Sequence, residues 1–147
     1  VTPVCRAAAR LCLLHGWAPV AEAPLPDGRR ADLWVLTPAG EFLVIESKSG
    51  LRDFQTDRKW PEYRAWCDRL YFAVDLDFPP EALPTDVGLI VADGPEAALV
   101  REAPHHPLAP ARRKSLLARY ALLAGRRLAL AQDPEAALAL MGALRVE

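Results

Sequence analysis

Arg30-Ala-Asp-Leu-Trp-Val-Leu36, Thr37-Pro-Ala-Gly-Glu41 and Phe42-Leu-Val-Ile-Glu-Ser-Lys48 run on without a break, and the reading of this stretch decides the fold. The middle segment fits a three-residue hairpin loop. Pro38 is preset for the first turn position, and Gly40 is free to take the left-handed conformation that closes a bulge. Such a loop sets a register. With Thr37 opposite Glu41, counting back along both strands places Asp32 opposite Glu46, on neighbouring strands ~4.8 Å apart. Side chains in a strand alternate, so Asp32 and Glu46 share a face. Lys48 falls on the same face about 6.5–7 Å beyond Glu46, and Ser47 points the other way.

Two neighbouring carboxylates at the end of an apolar strand repel one another and resist desolvation. A hard cation removes that cost. Mg²⁺, or Mn²⁺ in its place, prefers oxygen ligands, takes one or two carboxylates from a protein and fills its shell with water and phosphate oxygens. Asp32 and Glu46 supply that number, and the backbone carbonyl of Ser47 is a candidate third protein ligand. Lys48 is placed to orient and help deprotonate an attacking water, or to stabilise charge growing on phosphorus. The catalytic set read from this stretch is therefore Asp32, Glu46 and Lys48, in a site that hydrolyses phosphodiesters. The plain alternative is a solvated ion pair at a strand end, since so short a motif also arises by chance.

Length and composition bound the answer. The chain has 147 residues, 52 % hydrophobic and 25 % charged, which suits a single soluble globular domain with its own core. No apolar run approaches the length of a membrane span, and Leu11-Cys-Leu-Leu14 ends in His15-Gly16 without a cleavage pattern for a secretory signal. Cytoplasmic residence is the default expectation. Cys5, Cys12 and Cys67 are an odd number without a Cys-x-x-Cys pair, so neither a disulfide framework nor a zinc site is indicated. They read as small buried residues, and His105-His106 as a loop feature.

A net charge of −1 gives no overall push toward nucleic acid, yet residues 103–132 contain no acid and carry Arg112, Arg113, Lys114, Arg119, Arg126 and Arg127. That is a local footprint of the kind that neutralises phosphates; a solvated helix face is the competing explanation. Arg112, Arg113 and Lys114 are candidate DNA contacts, as are Arg29 and Arg30 ahead of the metal-binding strand.

Outward from the hairpin, Pro3 to His15 reads as a helix with Pro at its start and Gly16 at its end. Val20 to Leu25, Arg30 to Leu36 and Glu41 to Lys48 read as three antiparallel strands. Asp53 is expected to cap a helix running through Trp60, broken or restarted by Pro61. Arg69 to Val74 returns as a strand, and a strand, crossover helix and strand imply a parallel neighbour. Val87 to Ala92 and Ala97 to Glu102 suggest a hairpin around Asp93-Gly94. A basic helix follows from about Ala111 to Leu130, and Asp133-Pro134 opens a last helix to about Leu144.

The order helix, three antiparallel strands, helix, strand, with Asp on the second strand and Glu-x-Lys on the third, resembles the core of the PD-(D/E)xK nuclease superfamily. Four runs resemble, more closely, the MmcB family of bacterial DNA-repair proteins. They are Arg30-Ala31-Asp32-Leu33, Ile45-Glu46-Ser47-Lys48-Ser49, Asp53-Phe54-x-x-Asp57-Arg58-Lys59-Trp60-x-x-Tyr63 and Cys67-Asp68-Arg69-Leu70-Tyr71-Phe72-Ala73-Val74. The resemblance extends over nearly the whole chain. It implies an α/β fold with a mixed β-sheet flanked by helices on a restriction-endonuclease-like (αβββαβ) core. It also implies a repair endonuclease acting on damaged or unusual DNA with Mg²⁺ or Mn²⁺, with Asp32, Glu46 and Lys48 at the motif positions.

Two departures stand out. Ala31 precedes Asp32 where the superfamily writes Pro. The first helix also lacks the acidic residue that many relatives carry there. Glu22 on the first strand is a candidate substitute ligand, with an exposed strand position as the alternative. Behind the catalytic strand, Arg58 or Lys59 is placed to bind the scissile phosphate and Gln55 to position water or metal. Trp60 and Tyr63 are expected to be packing residues rather than base-stacking platforms. A non-cleaving DNA-binding repair module on the same fold is the rival reading, and a protein whose charges are only surface pairs is a third. A homodimer is a further candidate assembly, since palindromic or junction DNA would call for two copies.

Overall fold

The structure, a computed structural model, describes residues 1–146, with side chains as far as Ala143. It falls into two compact units divided after Leu108. The first opens with α1 (Pro3–Leu14), where Pro3 occupies the first turn and the Thr2 hydroxyl accepts the Cys5 N–H at 3.1 Å. That capping bond satisfies one of the donors a helix start leaves open. Gly16, with φ of +75°, follows the helix and turns the chain toward the sheet.

Six strands form one sheet in sequence order: β1 (Ala18–Pro24), β2 (Arg30–Leu36), β3 (Phe42–Ser47), β4 (Arg69–Asp75), β5 (Gly88–Asp93) and β6 (Glu96–Arg101). The β1/β2, β2/β3 and β5/β6 pairs are antiparallel, whereas β3/β4 and β4/β5 are parallel. The fold is a mixed α/β one, with helices on the sheet. The β2–β3 loop closes as its turn residues require. Gly40 adopts φ of +84°, its N–H reaches the Thr37 carbonyl at 2.9 Å, and the Thr37 N–H bonds the Glu41 carbonyl. The pairs Leu36–Phe42 through Leu33–Ile45 follow from that register.

Strand alternation gives the sheet two apolar faces. One, carrying Leu33, Val35, Leu43, Ile45, Tyr71 and Ala73, packs against Cys5, Ala8, Leu11 and Cys12 of α1. The other carries Trp34 stacked on Phe42, with ring centroids 4.9 Å apart, and Phe72, against which Phe54 and Trp60 set their edges. Trp60 is thus a packing residue.

The segment after β3 differs from the expected single helix through Trp60. α2 spans only Leu51–Thr56, and a 3₁₀ helix runs over Trp60–Trp66. Asp57 causes the break. Its carboxylate accepts the N–H groups of Lys59 and Trp60 at 2.8 and 3.2 Å, a local bond that competes with helix continuation. Nor is Asp53 the cap; it lies in the first turn of α2, its carboxylate accepting the Ser49 N–H and hydroxyl.

The second unit holds α3 (Pro110–Gln132) and α4 (Pro134–Val146), which contact one another. Leu116 and Tyr120 are the buried positions of α3, and Leu117 is exposed. Among the described residues no helix is long and apolar enough to cross a membrane.

Candidate functional site

The β2/β3 ladder ends at Leu33–Ile45, one residue short of Asp32 and Glu46. Beyond it the two strands keep different partners. Arg30 and Ala31 stay paired to β1, while Glu46 and Ser47 stay paired to β4. Side chains take over the ladder's bonds at this fork. The Asp32 N–H donates to Glu46 Oε2 at 2.8 Å, and the Ser47 N–H donates to Asp32 Oδ2 at 2.8 Å. The Ser47 hydroxyl adds a third bond to Asp32 Oδ2 at 3.2 Å. The register expected from the hairpin thus brings the two acids together.

Their environments differ. Asp32 is half-buried, whereas Glu46 is only 5 % exposed. Burial first, and the Asp32 charge second, push the Glu46 carboxyl up to about 8. The Tyr63 hydroxyl stands within bonding reach of both the Glu46 carboxylate and the Arg30 carbonyl, the latter at 3.0 Å. Its own ionisation is pushed up by burial and by Glu46. Beneath the pair lies Cys5, whose Sγ is 3.8 Å from the Asp32 carbonyl oxygen. Burial and the Asp32 charge raise that thiol to about 11, so it stays protonated and is no nucleophile at neutral pH. All three cysteines are free and buried.

Lys48 is 7 % exposed, and its Nζ bonds Asp57 Oδ2 at 2.5 Å. Burial alone would raise the Asp57 carboxyl. Its bonds to Lys48, Lys59 and Trp60 instead hold it below the ordinary range. The Lys48 charge is therefore matched by Asp57, and the Asp32–Glu46 pair has only its longer-range influence.

The remaining expected site residues scatter. Glu22 stands opposite Asp32 in the β1/β2 register, between the pairs Ala21–Leu33 and Ala23–Ala31. It is exposed with φ of +47°, and lines a small cavity of about 110 Å³ with Asp32, Ser47, Cys5 and Thr2. Arg29 pairs with Asp27 and Glu62. Arg30 is exposed, as are Gln55, Arg58 and Lys59 around the end of α2. Arg112, Arg113 and Lys114 lie in the first turns of α3, in the second unit. His105 sits 3.7 Å from Glu41, which precedes β3 at its other end.

Two residues outside the expected site belong with the acids: Asp57, as the partner of Lys48, and Tyr63, expected only to pack, through its hydroxyl. Among the described residues no three acidic, histidine or cysteine side chains converge as metal ligands. What converges is a pair of carboxylates beside the end of β3, a donor set that suits a hard cation sharing its shell with water and phosphate. The two acids repel one another, and the Lys48 ammonium is already engaged by Asp57. A divalent ion is the charge that such a pair fits.

The family model for DNA repair proteins described as MmcB-like matches residues 2–135. No curated protein matches the chain. A solved structure, the SPO1766 protein of unknown function from Silicibacter pomeroyi, is 47 % identical, with a TM-score of 0.84 over 92 % of this chain and 94 % of that one. With the family model spanning nearly the whole sequence, the chain belongs to the MmcB-like DNA repair protein family.

Proposed function

We propose that the protein is a divalent-metal-dependent DNA endonuclease on a restriction-endonuclease-like core of the PD-(D/E)xK superfamily, cutting phosphodiester bonds at damaged or unusual DNA in the bacterial cytoplasm. The observation that carries this reading is the buried Glu46 carboxylate held against Asp32 at the fork between β2 and β3. Asp32, Glu46 and the Ser47 carbonyl would hold Mg²⁺ or Mn²⁺. When bound, the ion supplies Lewis-acid polarisation of the phosphodiester and a more acidic water.

The chain's own groups do the rest. The main-chain bonds at the fork hold each carboxylate in place before substrate arrives. Tyr63 steadies Glu46 and the start of β2 together. Asp57 orients the Lys48 ammonium, which offers positive charge to the phosphate and a hydrogen bond to the attacking water. Arg58 and Lys59, exposed beside Asp57, are available to the DNA backbone, and Gln55 to a water.

One observation favours the rival reading of a non-cleaving DNA-binding module: Lys48 is already bonded to a carboxylate. Incubation of the wild type with duplex, single-stranded, flapped and junction DNA in Mg²⁺ or Mn²⁺ separates the two. The endonuclease reading expects nicking or cutting of at least one of these. It also expects Glu46→Ala and Lys48→Ala to remove that activity while circular dichroism shows an unchanged fold. Survival of every DNA at high protein concentration would leave the binding module.

A further inference from the structure

Past Leu33–Ile45, where the β2/β3 ladder ends, the edge of β2 that faced β3 is left open. Main-chain groups point to one edge of a strand at every second residue, so those of Asp32 and Arg30 share this open edge. Side chains from elsewhere meet both. The Asp32 N–H goes to Glu46 Oε2 at 2.8 Å, and the Arg30 carbonyl accepts the Tyr63 hydroxyl at 3.0 Å. The two stand-ins also meet one another, since the Tyr63 hydroxyl is within bonding reach of the Glu46 carboxylate.

A phenol carries one proton, and Tyr63 has two acceptors for it. A carbonyl can only accept, so the bond to Arg30 uses that proton. The Tyr63 ring is buried, and Trp60 of the same 3₁₀ helix packs edge-on against Phe72. A change of acceptor therefore needs rotation about the C–O bond and no movement of the ring. A cation on Glu46 shifts the balance between the two acceptors. A ligating carboxylate is ionised and can only accept, and a charged acceptor draws a hydrogen bond more strongly than a neutral carbonyl does. Donors just outside a metal's ligands act in this way, orienting the carboxylates that hold it. Arg30 is exposed, so water can take the place of the hydroxyl at its carbonyl.

We propose that Tyr63 is a positioning residue that responds to the cation: when a divalent ion binds at Asp32 and Glu46, the hydroxyl leaves the Arg30 carbonyl and donates to Glu46. Occupancy of the site is thereby passed to the first residue of β2, whose side chain is among the candidate DNA contacts. The inference rests on the reading of Glu46 as a metal ligand. It gives Tyr63 two states where steadying alone needs one.

The test is a Mg²⁺ titration of the full chain followed by NMR without DNA, so that no cutting is read. In the wild type the carbonyl carbon of Arg30 is expected to shift along the same binding curve as the side-chain carboxyl carbon of Glu46. Tyr63→Phe keeps the ring and loses the proton. Its Arg30 carbonyl should already lie displaced without Mg²⁺ and stay still through the titration, and Mg²⁺ should bind about tenfold more weakly, a loss typical of such outer partners. A residue that only packs would alter neither reading. The wild-type titration decides by itself should Tyr63→Phe fail to fold. An Arg30 carbonyl that holds still while Glu46 responds, or equal Mg²⁺ affinity in Tyr63→Phe, overturns the proposal and leaves the metal site standing. No response of Glu46 to Mg²⁺ overturns both.

Discussion

Two buried carboxylates stand at opposite ends of β3, and they do opposite things. Asp68, 1 % exposed, lies beside the start of the strand. Its Oδ2 accepts the Phe42 N–H at 2.7 Å and its Oδ1 the Leu108 N–H at 2.9 Å, while its own N–H donates to the Phe42 carbonyl. Two main-chain donors, one per oxygen, make it a structural clamp that ties β3 to the chain before β4 and to the end of the first unit. Glu46, at the other end, accepts one main-chain N–H, that of Asp32, and also faces the Asp32 charge. Burial of an acid does not by itself mark a site. The balance of donors and charges around it does, and at Glu46 that balance is short of positive charge.

The most severe way to break this contrast is at the chemistry. Glu46→Ala should reduce metal-dependent cutting to background, whereas Asp68→Asn should retain cutting in whatever fraction stays folded; gel assays on the purified variants compare the two. An active Glu46→Ala protein would remove the functional half of the comparison.

The second largest effect is on pH dependence. Glu46 is ordinarily acidic near 4.5 and is raised to about 8 in the folded protein. Between those values Glu46 holds a proton in the folded chain that it loses in the unfolded one, so its contribution to metal-free stability is fully present below the lower value. It falls as pH rises toward the upper one, by on the order of a few kcal/mol. Urea melts from pH 5 to 9 should show that decline in the wild type and a flatter profile in Glu46→Gln. Mn²⁺ should restore stability most at the alkaline end. A profile unchanged by Glu46→Gln would contradict the assignment.

Asp68→Ala comes next. It strands the buried Phe42 N–H and the part-buried Leu108 N–H, which should cost about 2–3 kcal/mol, read from the same melts and independent of Mn²⁺. A metal-dependent loss there would blur the distinction between the two ends of the strand.

How much of this is legible in the residues follows from the kinds of force involved. Pro38 and Gly40 declare their turn locally, so the hairpin and the placing of Asp32 opposite Glu46 can be counted out along the chain. The parallel passage from β3 to β4 follows likewise from the strand–helix–strand order. The shortness of α2 does not, because the carboxylate of Asp57 competes for backbone donors that helix propensity assigns to the helix. Tyr63 can be read as a packing residue, and it is buried, but its hydroxyl reaches a strand 33 residues away in sequence. Asp68 and Asp57 give no sign of their long-range partners, since neither spacing nor periodicity encodes such contacts. The left-handed backbone at Glu22 is equally silent, being unusual for a residue other than glycine.

The smallest expected effect concerns the second unit. Replacing Arg112, Arg113 and Lys114 together should lower the slope of log affinity against log salt by up to about 2–3, the contribution of three phosphate contacts. Titrations of duplex DNA at several salt concentrations measure it, and an unchanged slope would assign these charges to solvation or to a protein partner.

Whether Asp32 and Glu46 share one divalent ion is decided by the anomalous scattering of a crystal soaked in Mn²⁺. A peak bridging one oxygen of Asp32 and one of Glu46, absent from Glu46→Gln crystals, is the expected outcome; a soaked wild-type crystal with no peak between those carboxylates would contradict it.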